Sequence, residues 1–354
     1  MRILITGGAG FIGCNLAAAL ARAGHDIVVM DNLQRPGSLD NLRWLLETRA
    51  VSKRIAFRPA DVRDLEACET VVAEDRLDAV VHLAAQTAVT TSIADATADF
   101  DVNARGTLNV LEAVRRQAPS TTVVFTSTNK VYGDVVPATV ERHPTRYVLP
   151  EYPEGIAEDF PTAPATPYGC SKFAADCYVR DYARTYGLNT TVLRASCVYG
   201  PWQNGTTDQG WVSWFVRSAI LDSELTIYGD GLQVRDLLHV DDLADALTAM
   251  LTTGDGLGDT FNIGGGPQFS LSVWAEFGPL LGTIVGRPTR VRYELSRPGD
   301  QRVWVTDVRK LSGALSWKPR TSPAEGIEQL AWWMRRRLGA ASRRPQHRAG
   351  PPRA

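Results

Sequence analysis

The sequence predicts an α/β fold, a doubly wound parallel sheet carrying a smaller mixed α/β lobe, and three observations lead there. Short, nearly continuous apolar runs fit strands buried on both faces. Helix-length segments separate these runs through the first two-thirds of the chain, the alternation that builds right-handed βαβ crossovers. From about Tyr199 the pattern breaks into Gly-, Trp- and Pro-rich sequence, "YGPWQNGTTDQGWVSW", with shorter strands in irregular order.

Taken in order, the strand candidates are "RILIT", "DIVVM", "RIAFR", "DAVVHLA", "TTVVFTS" and "TTVLRAS". Between them, "CNLAAALARAG" reads as a helix closed by Gly24, and "GTLNVLEAVRRQAP" as one closed by Pro119. The large domain should span residues 1–198. The chain should re-enter it around 235–265 through "RDLLHVDDLADALTAML", with Asp241 as a helix cap. The smaller lobe should comprise 199–234 and 266–338. Residues 339–354, "GAASRRPQHRAGPPRA", hold no acid and no apolar periodicity, and read as a disordered basic tail.

Composition narrows the function. A chain of 354 residues that is 44% hydrophobic, 22% charged and has net charge −1 carries no electrostatic footprint for nucleic acid or a membrane surface. Five cysteines without a CxxC pair, and five scattered histidines, argue against disulfides, zinc or any other metal site. No apolar run reaches the roughly 18–20 residues of a membrane span. "MRILITGGAG" enters a strand directly, with no leader pattern. The expected setting is the cytoplasm.

The first turn carries the clearest motif. "GGAGFIG" places Gly7, Gly10 and Gly13 straight after the first strand. Gly7 permits a tight turn, Gly10 lets backbone approach a pyrophosphate, and Gly13 allows close helix–strand packing. The phosphates would lie at the helix N-terminus, next to Phe11 and Ile12. Asp31, followed by Asn32, ends the second strand, where a carboxylate can bond a ribose 2′-OH and repel a 2′-phosphate. This is a Rossmann-fold dinucleotide site that favours NAD, although Arg35 nearby leaves NADP open. Asp61 and Val62 are placed to reach the adenine, with helix capping as Asp61's plainer role. "HLAAQ" offers Leu83, Ala84, Ala85 and Gln86 as a lining past which the cofactor can run. Asn103 is either a buried amide satisfied by backbone or a support for the catalytic loop, and Thr126 ends the fifth strand beside the cofactor.

Chemistry is suggested by "TPYGCSK", which sets Tyr168 and Lys172 four residues apart on one helix face. A phenol with an ordinary pKa near ~10 is a poor base unless a neighbouring ammonium favours the phenolate. Such a pair can take a hydroxyl proton while hydride leaves the same carbon. Thr128, at the end of the fifth strand, can bond the same oxygen.

"TGGAGFIG", "TSTNKVYGD" and "YGCSK" resemble the extended short-chain dehydrogenase/reductase family of nucleotide-sugar enzymes, to about Trp333. The resemblance implies Thr128, Tyr168 and Lys172 as the catalytic triad and tightly held NAD regenerated in each turnover. In that family, 4,6-dehydratases carry Asp-Glu after the hydroxyl residue, and decarboxylating members a Glu nearby. This chain has Asn129-Lys130. Elimination of water then lacks its acid/base couple, which leaves oxidation and re-reduction, that is, epimerisation. "YGCSKFAAD", "YARTYGLNT", "TDQGWVSWF", "GDGLQVRDLLH" and "GDQRVWVTD" are similar to the CDP-paratose 2-epimerase (CDP-tyvelose epimerase) group. This implies inversion at C2 of a nucleotide-diphosphate hexose, with 4-epimerisation of a UDP- or GDP-hexose as the alternative. A non-catalytic NAD-binding regulator would be expected to lack the Tyr–Lys pair.

By the same resemblance the smaller lobe holds the nucleotide sugar. Arg235 and Arg302 match diphosphate-clamping arginines, with surface ion pairs to Asp236 or Asp300 as the plainer reading. Asn129, Gln209, Trp211, Tyr228 and Gln233 are further substrate-facing candidates, and Trp211 serves equally as core. Cys197 stands where many members place a substrate-holding Asn. The proline-rich insertion 135–164 should pack beside the sugar pocket or form a surface strap. Helices around Thr97–Arg115 and Thr166–Tyr186 resemble the family's dimer-forming pair, which implies a homodimer or homotetramer.

Overall fold

A computed structural model describes residues 1–74, 76–135, 138–254, 258–297 and 299–342. The chain opens with β1 (Arg2–Thr6), α1 (Phe11–Arg22), β2 (Asp26–Asp31), α2 (Ser38–Glu47), β3 (Ile55–Pro59), α3 (Leu65–Glu74) and β4 (Ala79–His82). Two short helices, α4 (Val89–Ala94) and α5 (Ala96–Phe100), lead through a π-helical turn (Asp101–Arg105) into α6 (Gly106–Gln117) and β5 (Thr122–Thr128). A hairpin of β6 (Glu141–Arg142) and β7 (Tyr147–Val148) precedes α7 (Pro167–Tyr186) and β8 (Thr190–Ala195). There follow β9 (Cys197–Tyr199), α8 (Trp211–Ile220), β10 (Leu225–Tyr228), β11 (Val234–His239), α9 (Val240–Thr253) and β12 (Thr260–Ile263). The chain ends with β13 (Ser270–Ser272), α10 (Phe277–Val285), β14 (Val291–Glu294), β15 (Val303–Trp304), α11 (Arg309–Leu315) and α12 (Pro323–Ser342).

Seven strands form one parallel sheet in the order β12-β8-β5-β4-β1-β2-β3. All six strand candidates are in it, because Val and Ile on both faces are covered. One face packs on α1 and α9 around Ile3, Ile5, Val29 and Val81. The other packs on α3, α6 and α7 around Leu4, Val28, Val80 and Phe125. The seventh strand, β12, arrives late in sequence to lie beside β8, with Thr260 opposite Val192 and Ile263 opposite Ala195. The expected helix after β11 is present, but its cap is His239, whose ring accepts from Asp241 N; Asp241 stands in the first turn.

The remaining strands make smaller sheets, β9-β11-β13 with β15, and β10-β14. These pack with α8, α10 and α12 around Val212, Leu225, Phe277 and Leu330. The helix α12 runs through 339–342, so the disorder expected from 339 does not begin there; 343–354 lie outside the described residues.

The insertion is a strap pinned at several points. Its hairpin is held by Arg146 to Glu276 (2.5 Å), Tyr147 OH to Asp230 (2.7 Å) and Tyr147 N to Leu232 O (3.0 Å). Leu149, Ile156 and Phe160 join Val131, Tyr132 and Trp304 in a cluster of their own. The strap therefore buttresses the turn after β5, and none of its described residues lines the main cleft.

Candidate active site

The carboxyl ends of β1, β2, β4, β5 and β8 open into one cleft. It lies where β1 and β4 are neighbours and the strand order reverses, the position at which open α/β sheets bind ligands.

The glycine turn is built as its spacing requires. Gly7 has φ +66°, and a Cβ there would lie 2.7 Å from Ala84 N. A Cβ on Gly13 would lie 2.4 Å from Gly7 O, so α1 can start against the turn only without a side chain. Gly10 caps α1 with no side-chain bond to the helix, which leaves first-turn N–H groups for an anion. A Cβ on Gly10 would meet only Gly7 O and C and otherwise point into open space. Asp31 is fixed by Ala9 N (3.1 Å) and Leu33 N (2.8 Å), and burial raises its pKa. These residues fit a dinucleotide. Arg35, the feature that left NADP open, instead donates to Thr87 Oγ1 (2.7 Å) and Gln209 Oε1 (2.5 Å), clasping three loops together.

Of the expected cofactor residues, Gly7, Gly10, Phe11, Ile12, Gly13, Asp31, Asn32, Asp61, Val62, Leu83, Ala84, Ala85, Thr126, Tyr168 and Lys172 all line the cleft. Asp61 is held by Arg63 (2.7 Å) and Asn32 (2.8 Å), and chiefly the Arg63 bonds depress its pKa to about 2. Gln86 and Asn103 stand behind the lining: Asn103 Oδ1 accepts from Gln86 N (2.9 Å) and Asn103 Nδ2 donates to Gln86 O (3.1 Å). Sequence reasoning missed Ser196, Trp202, Gln203 and Asn204, which line the cleft from the segment after β8. Their one visible signal was the Gly/Pro/Trp change at Tyr199.

Thr128, Tyr168 and Lys172 are placed by two caps. Thr128 ends β5 and caps the next turn, accepting from Lys130 N (3.3 Å). Thr166 caps α7 by accepting from Gly169 N (3.2 Å), with Pro167 in the first turn. Tyr168 and Lys172 thus come at the start of a 20-residue helix. Burial raises the pKa of Tyr168; Thr128 lowers it, Asp99 raises it and Arg35 lowers it. Lys172 Nζ donates to Thr126 O (2.7 Å) and lies 4.2 Å from the centre of the Phe125 ring, and burial lowers its pKa to about 7.

The expected substrate residues are less unified. Thr128 and Gln209 line the cleft. Asn129 donates to Gln301 Oε1 (3.4 Å) and Lys130 to Gly299 O (3.2 Å). Arg235 pairs with Asp300 (2.5 Å), but as a buried residue and not at the surface. Arg302 is exposed and stacks over Tyr147. Gln233 donates to Tyr228 O (2.7 Å), and Arg297 covers the Tyr228 ring at 3.8 Å. Trp211 is partly buried and packs onto the core through Phe215 and Phe277, with its Nε1 donating to Cys197 Sγ (3.1 Å). Burial pushes the Cys197 thiol up to about 12, which removes it as a nucleophile.

A dinucleotide-type sheet with a glycine turn, and a Tyr–Lys pair on the helix flanking its carboxyl edge, define an extended short-chain dehydrogenase/reductase. Residues 3–264 match the model of the NAD dependent epimerase/dehydratase family, and the chain belongs to that family. It is 40% identical to the CDP-paratose 2-epimerase of Salmonella typhi, over 94% of this chain and 99% of the relative. It is 35% identical to a dTDP-glucose 4,6-dehydratase of Shigella flexneri, over 94% and 92%. The crystal structure of Thermus thermophilus UDP-glucose 4-epimerase in complex with NAD superposes with TM-score 0.80 at 31% identity, covering 95% of this chain and 99% of that one. The protein is an NAD-dependent enzyme of the nucleotide-sugar epimerase type. No helix among the described residues is long and apolar enough to cross a membrane, and no described cluster of His, Cys, Asp or Glu is suited to a metal ion.

Proposed function

We propose that this enzyme inverts C2 of a nucleotide-diphosphate hexose, with a CDP-sugar of the paratose/tyvelose type as substrate. One observation carries the choice of epimerisation over dehydration. The carboxylates lining the cleft are Asp31 and Asp61, at the ends of β2 and β3, whereas Thr128 is followed by Asn129 and Lys130. The Asn129 amide supplies neither acid nor base for eliminating water, and the Lys130 amine is engaged with Gly299 O (3.2 Å). The 40% identity to a CDP-paratose 2-epimerase supports C2 and cytidine.

In this reading, Gly7, Gly10 and Gly13 hold the pyrophosphate and Asp31 the adenosine ribose. Bound NAD supplies a hydride acceptor that later returns the hydride. Tyr168 would take the proton from the C2 hydroxyl and return it to the same oxygen of the 2-ketose once the opposite face of C2 is presented to the cofactor, while Thr128 holds that oxygen. The keto-sugar must turn over between the two transfers. Arg235, released from Asp300, and Arg302 would clamp the diphosphate, since a planar guanidinium suits phosphate oxygens. Asn129, Gln209, Tyr228 and Gln233 are the remaining substrate contacts we assign. We also assign a homodimer through the α6 and α7 pair, where Tyr178 and Tyr186 are exposed, and a cytoplasmic location.

The test is proton NMR of the purified protein with CDP-, GDP- and UDP-hexoses in D2O, without added NAD. Inversion at C2 with no deuterium at that carbon is expected. Inversion at C4 would move the protein to the 4-epimerases, and deoxygenation at C6 would return it to the dehydratases.

A further inference from the structure

Behind the reactive helix lies a carboxylate that the reaction as described does not use. Asp99, on the short helix α5, is 1% exposed. Its Oδ1 accepts from Gln86 Nε2 (2.8 Å) and Asn103 Nδ2 (3.1 Å), and its Oδ2 from Ser171 Oγ (2.5 Å). Ser171 lies between Tyr168 and Lys172 in sequence, and also takes a bond from Asn103 Nδ2 (3.1 Å). Gln86 continues to the backbone of the loop after β4, through Ala88 O (2.8 Å). One buried acid therefore joins the cofactor-side loop, the π turn and the first turn of α7. A purely structural node at this place needs hydrogen-bond acceptors, not charge, and an amide would serve.

We propose that Asp99 is a positioning residue of the reaction: it fixes the first turn of α7 through Ser171 and acts as the counter-charge to the Lys172 amine. The inference rests on the assignment of Tyr168 and Lys172 as the reacting pair. Lys172 faces a small set of charged and titratable groups. Asp99 comes from α5, Asp176 from one turn further along α7, and His82 from β4; the ring of Phe125 and Thr126 O come from β5. His82 is buried between Thr6 Oγ1 (2.6 Å) and Thr107 Oγ1 (2.9 Å), and burial lowers it to about 3, so it brings no charge at neutral pH. Asp176 is already paired with Arg194 (2.9 Å) and Arg180 (2.8 Å). Among the described groups acting on Lys172, Asp99 is thus the carboxylate without a cationic partner of its own. Burial pulls the amine down, and Asp176 and Asp99 pull it up. Asp99 also raises Tyr168, against Arg35. The carboxylate thus acts against burial on Lys172 and in the same direction as burial on Tyr168.

Asp99→Asn separates charge from geometry. Its carbonyl can accept from Gln86 and Asn103, and its NH2 can donate to Ser171 Oγ, so every partner stays satisfied. The chain has five lysines, Lys53, Lys130, Lys172, Lys310 and Lys318. Labelling lysine with 13C at Cε therefore gives a countable spectrum in which Lys172→Met assigns the signal. In Asp99→Asn the midpoint of the Lys172 titration should fall by about one pH unit, with the other four signals unmoved. Should that variant not fold, Asp99→Ser reads the same shift. A Lys172 midpoint unchanged in the folded variant would overturn the proposal. The readout needs no turnover, so it is separate from the reaction: full activity in Tyr168→Phe would sink the assignment of the reacting pair and leave the Asp99–Lys172 coupling standing or falling on the titration.

Discussion

The cofactor wall of the cleft and the side proposed for the nucleotide sugar are made differently. The cofactor wall is backbone and small residues drawn from strand ends: Gly7, Gly10 and Gly13 in one turn, Ala84 and Ala85 in another, with Asp31 held by two nearby N–H groups. Thr128 and Gln209 apart, the side chains proposed for the nucleotide sugar stand outside that lining; they are long, polar, drawn from distant segments and already engaged with each other: Arg235 with Asp300, Gln233 with Tyr228, Asn129 with Gln301. A backbone cradle needs no rearrangement to take a ligand, whereas a network of paired side chains must exchange one partner for another. The cradle suits a cofactor that stays; the network suits a substrate that comes and goes.

The largest test of this contrast is at the reacting pair. Tyr168→Phe should lower kcat by about 10²–10⁴-fold, as expected for loss of a general base, while NAD still co-purifies; steady-state rates and the NAD content of the denatured protein check both. Next comes the cofactor wall. Gly13→Ala puts a Cβ against Gly7 O and should cost about 1–3 kcal/mol of stability by overpacking, together with most of the bound NAD, read by thermal unfolding and cofactor release. On the substrate side, Arg235→Met should raise KM by roughly 10–100-fold with kcat nearly kept, the loss expected for a charged hydrogen bond. If Asp300→Asn and Arg235→Met instead lower Tm alike and leave KM alone, the arginine is structural and the contrast fails. The smallest effect is at Asp61. Its depressed pKa stabilises the fold above about 3.8, its ordinary value, and that stability is lost as pH falls toward about 2. Asp61→Asn should flatten the acid limb of a stability–pH curve in that window.

The same contrast explains what was legible beforehand. The sheet and the glycine turn could be read because each rests on neighbours in sequence: apolar runs for β1 to β5 and β8, and Gly spacing for the turn. Tyr168 and Lys172 were legible because a helix places i and i+4 on one face. The rest depends on partners far along the chain. Trp211 could be placed against the core only once Phe277 and Cys197 were beside it. Asp241 looked like a cap, yet the buried ring of His239 took that role. The Gly/Pro/Trp change at Tyr199 marked a boundary without showing that Ser196 would line the cleft, and nothing in "ATADFDVN" signalled that Asp99 would sit under α7.

The place of β12 in the sheet has a consequence for how the protein is made. Once β8 has paired with β5, its outer row of N–H and C=O groups has only β12 to pair with in the main sheet. That row stays open until Thr260–Ile263 has been synthesised and has docked. During that interval the nascent chain presents an unpaired, apolar strand edge of the kind that templates aggregation. A chain interrupted between the two strands keeps its whole glycine turn and its Tyr–Lys pair, and still bears that exposed edge.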